Sequence, residues 1–398
     1  MSQLTHHVLE SAWSPWPQYD DSEIAAVQRV LVSGKVNQWT GQEVFSFERE
    51  YAASLGRRHA VAVMNGSVAL ELALVALGIG PGAEVITSPR TFIASASAAI
   101  MRGATPVLAD VDPDSGNITA ETIAPVITPR TRAIIVVHLA GWPADMDPIN
   151  DLAAEHGLAV IEDCAQAHGA EYKGKPVGSL GHASAFSFCQ DKIMTTGGEG
   201  GLLALDEEHG WETAWAFKDH GKSYDAVFNR KHPSGYRWLH ESFGTNWRMT
   251  EMQAAIGRIQ LARLAESVAT RRRNADILRS YLEPLSALRV PRPPEGTRHS
   301  YYKFYAYVRP EALRPGWSRD RIQTTIYDAG VPVLVGSCNE IYRELAFSAS
   351  STGPTRPLPV AHELGDTSLM FQVHPTLSVE SLHAAGNIVA EVVAEATR

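Results

Sequence analysis

The sequence of 398 residues contains little cysteine, modest charge and no long apolar run. Its three cysteines, Cys164, Cys189 and Cys338, are odd in number and far apart, which excludes a disulfide framework or a CxxC metal pair and indicates a reducing compartment. The net charge of −9 gives no support to a nucleic-acid-binding surface. No apolar run approaches the roughly 20 residues that span a bilayer, and the amino terminus does not resemble a signal peptide. We therefore expect a cytoplasmic protein that binds neither nucleic acid nor membrane.

Motifs of several ligand-binding folds are also missing. The chain has neither the GxGxxG fingerprint of dinucleotide-binding folds nor a P-loop. His, Asp and Glu form no compact cluster with metal-ligand spacing along the sequence. These absences argue against a nicotinamide-binding protein and predict no metal site.

Apolar runs and helical patterns alternate from residue 60 onwards. Because several of the runs are continuously apolar, they predict a mostly parallel sheet that is covered on both faces, which is an α/β architecture. The predicted strands are 61–64, 84–88, 106–109, 133–137 and 158–162, and the predicted helices are 67–77, 92–101, 120–127 and 145–156.

The pattern changes in the second half of the chain. Residues 218–250 predict a long irregular segment with a functional role, and a long helix follows from about Thr250 to about Leu282. Short strand and helix patterns then indicate a smaller α+β domain. We predict a large domain over residues 1–255, including an irregular arm over the first 20 residues, and a linking helix and small domain over 256–398.

One lysine, Lys192, lies in a glycine-rich loop between two apolar runs, 185–188 and 202–205. Glycines beside it allow the backbone to approach a ligand closely. A lysine that is desolvated in such a place can supply a nucleophilic amine for Schiff-base chemistry with a carbonyl or with pyridoxal phosphate. The alternative is an ordinary lysine of a surface loop.

Two further stretches have the character of ligand sites. Gly66 and Ser67 follow a predicted strand and open a helix, an arrangement that binds phosphate through free backbone amides, although simple helix capping explains it equally well. Asp163 ends a buried strand, where it can hold a pyridine nitrogen protonated, with Gln166 near enough to donate to a ring oxygen. The alternatives for this carboxylate are a metal ligand or a turn cap, and His168 beside it is expected to be a packed residue.

Ser187, five residues before the lysine, can reach a phosphate or is an ordinary strand serine. Asn246 precedes the long helix, where it caps the helix or contacts a ligand.

These stretches, in this order, resemble the DegT/DnrJ/EryC1/StrS family of sugar aminotransferases. NGSVAL over 65–70 resembles the family's nGTxAL element, and the blocks around Asp163 and Lys192 are highly specific. The other matching blocks are 41–51, 84–96, 110–112, 137–141, 220–221, 246–257 and 374–375. The resemblance implies an aspartate-aminotransferase-like large domain, pyridoxal-phosphate fold type I, with a small carboxy-terminal domain.

It also implies roles for single residues. Lys192 forms a Schiff base with pyridoxal 5′-phosphate (PLP) and moves protons, Asp163 pairs with the pyridine nitrogen, and Gln166 pairs with the ring hydroxyl. Phe92 stacks on the ring, unless it is a core phenylalanine on a helix.

Phosphate binding and assembly follow from the same resemblance. Gly66, Ser67 and Ser187 hold the phosphate, and Asn246 reaches it from the neighbouring subunit, which implies a homodimer with shared sites.

The resemblance further implies a reaction. L-glutamate converts the cofactor to pyridoxamine 5′-phosphate, whose amine then passes to a keto sugar, typically linked to a nucleotide, in the biosynthesis of an amino sugar for a polysaccharide, a lipopolysaccharide or a secondary metabolite. Alternatives are an enzyme of the same fold that acts on a keto-cyclitol or an aromatic precursor, and a non-catalytic binding or sensor protein.

Two departures from the family pattern concern the site. Ser67 replaces the usual threonine, and the loop 196–201 carries one more glycine than the common TTGEGG, which leaves Glu199 without an assigned role. The EGG ending favours amination at C4 of a 6-deoxyhexose.

Overall fold

A computed structural model describes residues 13–350, 352–354 and 356–398. Of the predicted amino-terminal arm, residues 1–12 lie outside this range, and residues 13–20 contain neither helix nor strand, as expected.

The elements follow the apolar pattern of the sequence. In chain order the strands are β1 (His59–Val63), β2 (Glu84–Thr87), β3 (Thr105–Leu108), β4 (Thr131–Val137), β5 (Ala159–Asp163), β6 (Glu171–Tyr172), β7 (Lys175–Pro176), β8 (Ala183–Ser187), β9 (Gly201–Leu205), β10 (Leu288–Arg289), β11 (Thr297–Arg298), β12 (Phe304–Val308), β13 (Val333–Leu334) and β14 (Ser368–Phe371). The α-helices are α1 (Asp21–Ser33), α2 (Glu43–Leu55), α3 (Gly66–Ala76), α4 (Ala94–Met101), α5 (Ala120–Ile123), α6 (Met146–His156), α7 (Glu208–Phe217), α8 (Tyr224–Phe228), α9 (Glu251–Ala262), α10 (Leu264–Leu282), α11 (Arg319–Asp328), α12 (Leu345–Ser350), α13 (Pro359–Thr367) and α14 (Val379–Ala396).

A seven-stranded sheet forms the centre of the large domain, in the order β1-β9-β8-β5-β4-β2-β3. All neighbouring pairs are parallel except those of β9, which runs antiparallel to both β1 and β8. The predicted mostly parallel α/β sheet is therefore confirmed. Its strands are mostly apolar because helices and loops bury both faces, and every residue of β8 and β9 is buried.

A smaller antiparallel sheet, β10-β12-β14-β13, lies in the carboxy-terminal part and packs against α10, α11 and α14. A three-stranded sheet, β11-β6-β7, joins this part to the loop that follows β5. The small α+β unit thus has its own apolar core.

The prediction of a single long helix over residues 250–282 is wrong, because the chain forms two helices, α9 and α10, with a break at Arg263. Arg263 ends α9 with φ −98° and ψ −2°, and its amide donates to the carbonyl three residues back, on Gln260, at 3.2 Å. The Arg263 side chain pairs with Asp20 at 2.7 Å. The predicted domain boundary at 255/256 falls inside α9 and stays a prediction.

The sheet topology brings several loop starts to one edge. Because β1, β5 and β8 run in the same direction, the residues that follow Val63, Asp163 and Ser187 meet at the carboxyl ends of these strands. Ligands bind at this edge in open α/β sheets.

Candidate active site

A cavity of about 550 Å³ opens at this edge of the sheet. This volume suits a cofactor together with part of a substrate. The predicted site residues that line it are Gly66, Ser67, Phe92, Asp163, Gln166, Ser187 and Lys192.

One end of the cavity is formed by the start of α3. Asn65 caps this helix, since its side chain accepts from the Val68 amide at 3.0 Å, and the first two helical residues, Gly66 and Ser67, face the cavity. A Cβ atom on Gly66 would lie 2.6 Å from Ser187 Cβ, so only glycine permits this approach. The helix dipole, the free amides and the two serine hydroxyls together form an anion-binding cradle.

Asp163 lines the cavity and is 6% exposed. Its carboxylate accepts from the Ser95 hydroxyl at 2.7 Å and from the Ala165 amide at 3.2 Å. Burial raises the pKa of Asp163, and these two hydrogen bonds oppose that effect. A carboxylate in this environment pairs favourably with a protonated ring nitrogen.

Gln166 is oriented by the backbone. Its side-chain oxygen accepts from the Ala140 amide at 2.8 Å, so the amide NH₂ remains as the group that can donate to a ligand.

Lys192 faces the same cavity. Its Nζ lies 4.9 Å from the centre of the Tyr302 ring, and among the described residues no carboxylate oxygen comes within 4.0 Å of it. The backbone of Lys192 is fixed on both sides, because its amide donates to the Cys189 carbonyl at 3.0 Å and its carbonyl accepts from Trp16 Nε1 at 2.9 Å. The amine is thus placed by its backbone and left free at its end.

Phe92 is neither in the core nor on a helix. It precedes α4, lines the cavity and is 65% exposed, so its ring has a free face towards a ligand. Stacking on a cofactor ring stays a prediction.

His168 is fully hydrogen-bonded. Its Nε2 donates to the Ser187 carbonyl at 2.8 Å, and its Nδ1 accepts from the Tyr51 hydroxyl at 2.8 Å. Burial lowers the pKa of His168 to about 4. The neutral imidazole therefore packs against the end of β8, the strand that carries Ser187. This agrees with the expectation that His168 is a packed residue.

Sequence reasoning assigned no role to several residues of the lining. Ser95 and Tyr302 reach the cavity from α4 and from the loop before β12, and Asp191, Glu199 and Ser337 lie on its wall. The Tyr302 hydroxyl donates to Asp191. No sequence motif predicts that Ser95 or Tyr302 lies at the site. Asp191 could have been predicted, because it is adjacent to Lys192 in the sequence.

Asn246 does not line this cavity in its own chain. It pairs with Asp219 in an isolated β-bridge. Its predicted contact with the phosphate therefore needs a second subunit.

A buried group of His138, Glu162 and Cys164 has its potential ligand atoms within 4.8 Å of one another. Glu162 is already saturated, since it accepts from the amides of Gly178, Leu180 and Gly181 at 2.7–2.8 Å. His138 Nδ1 accepts from the Ala144 amide, so its Nε2 carries hydrogen and donates to Glu162 at 3.2 Å. These contacts engage both nitrogens of His138 and both carboxylate oxygens of Glu162, and we infer a structural role for the group.

The donor set around the cavity fits PLP. The cradle at Gly66, Ser67 and Ser187 matches its phosphate, the buried Asp163 matches its ring nitrogen, and Lys192 supplies a free amine.

In the described part of the chain, every helix is too short or too polar to traverse a bilayer.

Comparisons with known proteins identify the family. A family model described as the DegT/DnrJ/EryC1/StrS aminotransferase family matches residues 17–391. The fold is similar to that of an aminotransferase from Psychrobacter cryohalolentis, with a TM-score of 0.95 and 54% identity over 96% of this chain and 99% of that chain.

Two curated relatives are also similar. The 3-amino-5-hydroxybenzoate synthase of Amycolatopsis mediterranei is 36% identical over 394 residues, which is 96% of this chain and 97% of the relative. The GDP-perosamine synthase of Caulobacter vibrioides is 46% identical over 233 residues, which is 58% of this chain and 60% of the relative. The chain belongs to the DegT/DnrJ/EryC1/StrS aminotransferase family and is a PLP-dependent aminotransferase.

Proposed function

We propose that this aminotransferase transfers an amino group from L-glutamate to a nucleotide-linked keto sugar, a 4-keto-6-deoxyhexose, in the biosynthesis of an amino sugar. The observation that carries this proposal is the convergence of Lys192, Asp163 and the start of α3 on one cavity. The match to GDP-perosamine synthase, whose name gives a GDP-linked product, supports a nucleotide-linked substrate.

The chain's own residues have distinct tasks in this reaction. PLP, when bound, supplies a carbon that carries the amino group and a ring that accepts an electron pair. Asp163 holds the proton on the ring nitrogen. Gln166 would donate an NH₂ hydrogen to the ring oxygen of PLP, because its own side-chain oxygen already accepts a hydrogen bond from the Ala140 amide. Phe92 covers one face of the ring and excludes water.

Lys192 acts as the proton carrier. In each half-reaction its Nζ would take a proton from one carbon and deliver it to the other. The proton would pass from the α-carbon of glutamate to the cofactor carbon in the first half-reaction, and from that cofactor carbon to the sugar carbon in the second. The backbone hydrogen bonds to Cys189 and Trp16 hold the lysine at the cavity while its side chain remains free to move.

We also propose a homodimer with shared sites. Asn246 lies away from its own cavity, and in a second copy it would complete the cradle formed by Gly66, Ser67 and Ser187.

A second candidate substrate is an aromatic keto precursor. The match to 3-amino-5-hydroxybenzoate synthase extends over nearly the whole chain and favours it.

Two measurements test these proposals. Absorbance of the purified protein with PLP, before and after L-glutamate, tests cofactor and donor: a bound-cofactor band that converts to the amine form is expected, and a band that ignores glutamate would reject this donor. The glutamate-treated protein is then offered nucleotide-linked keto sugars and keto aromatic acids in parallel. Restoration of the original band by a keto sugar supports the first candidate, and restoration only by an aromatic ketone would replace it with the second.

A further inference from the structure

Two buried hydroxyls form a chain that ends on Asp163. The Ser95 hydroxyl lies 2.7 Å from Asp163 Oδ2, and the Thr91 hydroxyl lies 2.9 Å from Ser95 Oγ. Both side chains are 1% exposed. Ser95 has one hydroxyl hydrogen and an ionised carboxylate has none, so Ser95 donates to Asp163 and Thr91 donates to Ser95. The carboxylate therefore fixes the direction of the whole chain.

These hydroxyls are important because Asp163 has few other partners. Among the described residues, no nitrogen of a lysine, arginine or histidine side chain lies within 4.0 Å of its carboxylate. The Ala165 amide also donates to this carboxylate, at 3.2 Å. Burial raises the pKa of Asp163, and the hydrogen bond from Ser95 is the largest of the effects that lower it. Hydrogen bonds to an ionised group are among the stronger ones in proteins.

The geometry also constrains where Asp163 can point. Ser95 holds Oδ2 and Ala165 holds Oδ1, so rotation of the carboxylate would break both contacts. Ser95 lies on α4, one turn after Thr91, and its own amide donates to the Phe92 carbonyl at 3.2 Å. The segment that presents Phe92 to the cavity thus also orients the carboxylate.

We propose that Ser95, supported by Thr91, is a positioning residue that holds the Asp163 carboxylate in the orientation in which it accepts a hydrogen bond from the ring nitrogen of PLP. This inference rests on the proposed function, in which Asp163 pairs with that nitrogen. It predicts that Ser95 affects a cofactor that has a ring nitrogen and not one that lacks it.

The test compares two cofactors in equilibrium dialysis. One is PLP, and the other is 1-deazapyridoxal 5′-phosphate, in which carbon replaces the ring nitrogen. Ser95→Ala is expected to weaken PLP binding about tenfold and to leave binding of the deaza compound within about twofold of wild type. Ser97→Ala, the same change two residues further along α4 and outside the cavity lining, is the matched control and should bind both compounds as wild type does.

Two further variants separate positioning from folding. In an Asp163→Asn background, Ser95→Ala should have no additional effect on PLP binding, because the carboxylate it orients is gone. If Ser95→Ala does not fold, Thr91→Val, which keeps the side-chain shape and removes the hydroxyl that donates to Ser95, should weaken PLP binding about threefold.

The outcomes are distinct. Wild-type affinity for PLP in Ser95→Ala, or an equal loss for both cofactors, overturns the positioning role and leaves the proposed function intact. Failure of the wild-type protein to bind PLP at all overturns the proposed function and this inference with it.

Discussion

Lys192 illustrates how a single residue is prepared for chemistry. Its backbone amide donates to Cys189 and its carbonyl accepts from Trp16, whereas its amine lies 4.9 Å from the centre of the Tyr302 ring. A lysine held in this way can change partners during turnover without moving its loop.

Lys192→Ala should abolish this chemistry. We expect turnover to fall by about 10³-fold or more, because both the amine that binds the cofactor and the proton carrier are removed. The absorbance band of covalently bound PLP should disappear in the same variant. Lys175→Ala, at an exposed lysine, is the control and should retain both. Activity close to wild type in Lys192→Ala would reject the proposed site.

His168 carries a prediction about acid stability. Burial lowers its pKa to about 4, below the ordinary value of 6.5, so between these pH values the unfolded chain binds the extra proton and the folded chain does not. Stability is therefore full above pH 6.5 and falls as the pH drops towards 4, with a loss of about 3 kcal/mol from this group.

Urea unfolding midpoints at pH 7.5 and pH 5 measure this effect. The midpoint of the wild type should be lower at pH 5, and His168→Gln, which cannot titrate, should show a smaller difference between the two pH values. His156→Gln, at an exposed histidine, should keep the wild-type difference. An unchanged difference in His168→Gln would show that other groups cause the acid sensitivity.

At the scale of elements, Glu162 connects β5 to the chain that leads into β8. It accepts hydrogen bonds from the Gly178, Leu180 and Gly181 amides and from His138, and Arg57 lies 3.8 Å away. Burial opposes its charge, but the hydrogen bonds from His138 and the backbone outweigh that effect and lower the pKa of Glu162. One buried carboxylate thus fixes the spacing of two strands whose ends carry Asp163 and Ser187.

Glu162→Gln should destabilise the protein by about 3 kcal/mol, because the glutamine NH₂ would face backbone amides that also donate. Thermal unfolding with and without a chelator measures this. Glu155→Gln, on the exposed face of α6, should change little. The chelator should leave the wild-type midpoint unchanged, and a marked drop would show instead that this group binds a metal.

For the whole molecule, the question is whether one chain forms a complete site. The cavity lining contains one cation, Lys192, together with the carboxylates Asp163, Asp191 and Glu199, although the proposed ligands are anionic. Asn246 does not line this cavity, since it pairs with Asp219. The proposed dimer would bring them to the cavity.

Mixed dimers of Lys192→Ala, expected to be inactive, and Asn246→Ala, expected to retain the cofactor poorly, test this arrangement. Lys192→Ala and Asn246→Ala subunits, unfolded and refolded together, should recover activity, because one site per mixed dimer receives both an intact lysine and an intact asparagine. Each variant refolded alone is the control. Absence of recovery in mixed dimers, or a fully active monomer in sedimentation, would contradict the shared site.

The sequence by itself determined the main strands of the large sheet, and it predicted the chemistry of Lys192 and Asp163. An apolar run predicts a strand because a strand of a parallel sheet is buried on both faces, which is visible in the run itself. The blocks that resemble the family consist of residues adjacent in the chain, so they too can be recognised from the sequence. The break at Arg263 was not visible, since helical periodicity continues across it.

Only the tertiary structure decided which distant residues support the site. Ser95 and Asp163 are 68 residues apart, and Trp16 and Lys192 are 176 residues apart. Their contacts depend on the strand order β1-β9-β8-β5-β4-β2-β3 and on the register of each pair, neither of which follows from local propensity. A hydrogen bond needs placement within a few tenths of an ångström, and in this protein that placement comes from packing between elements.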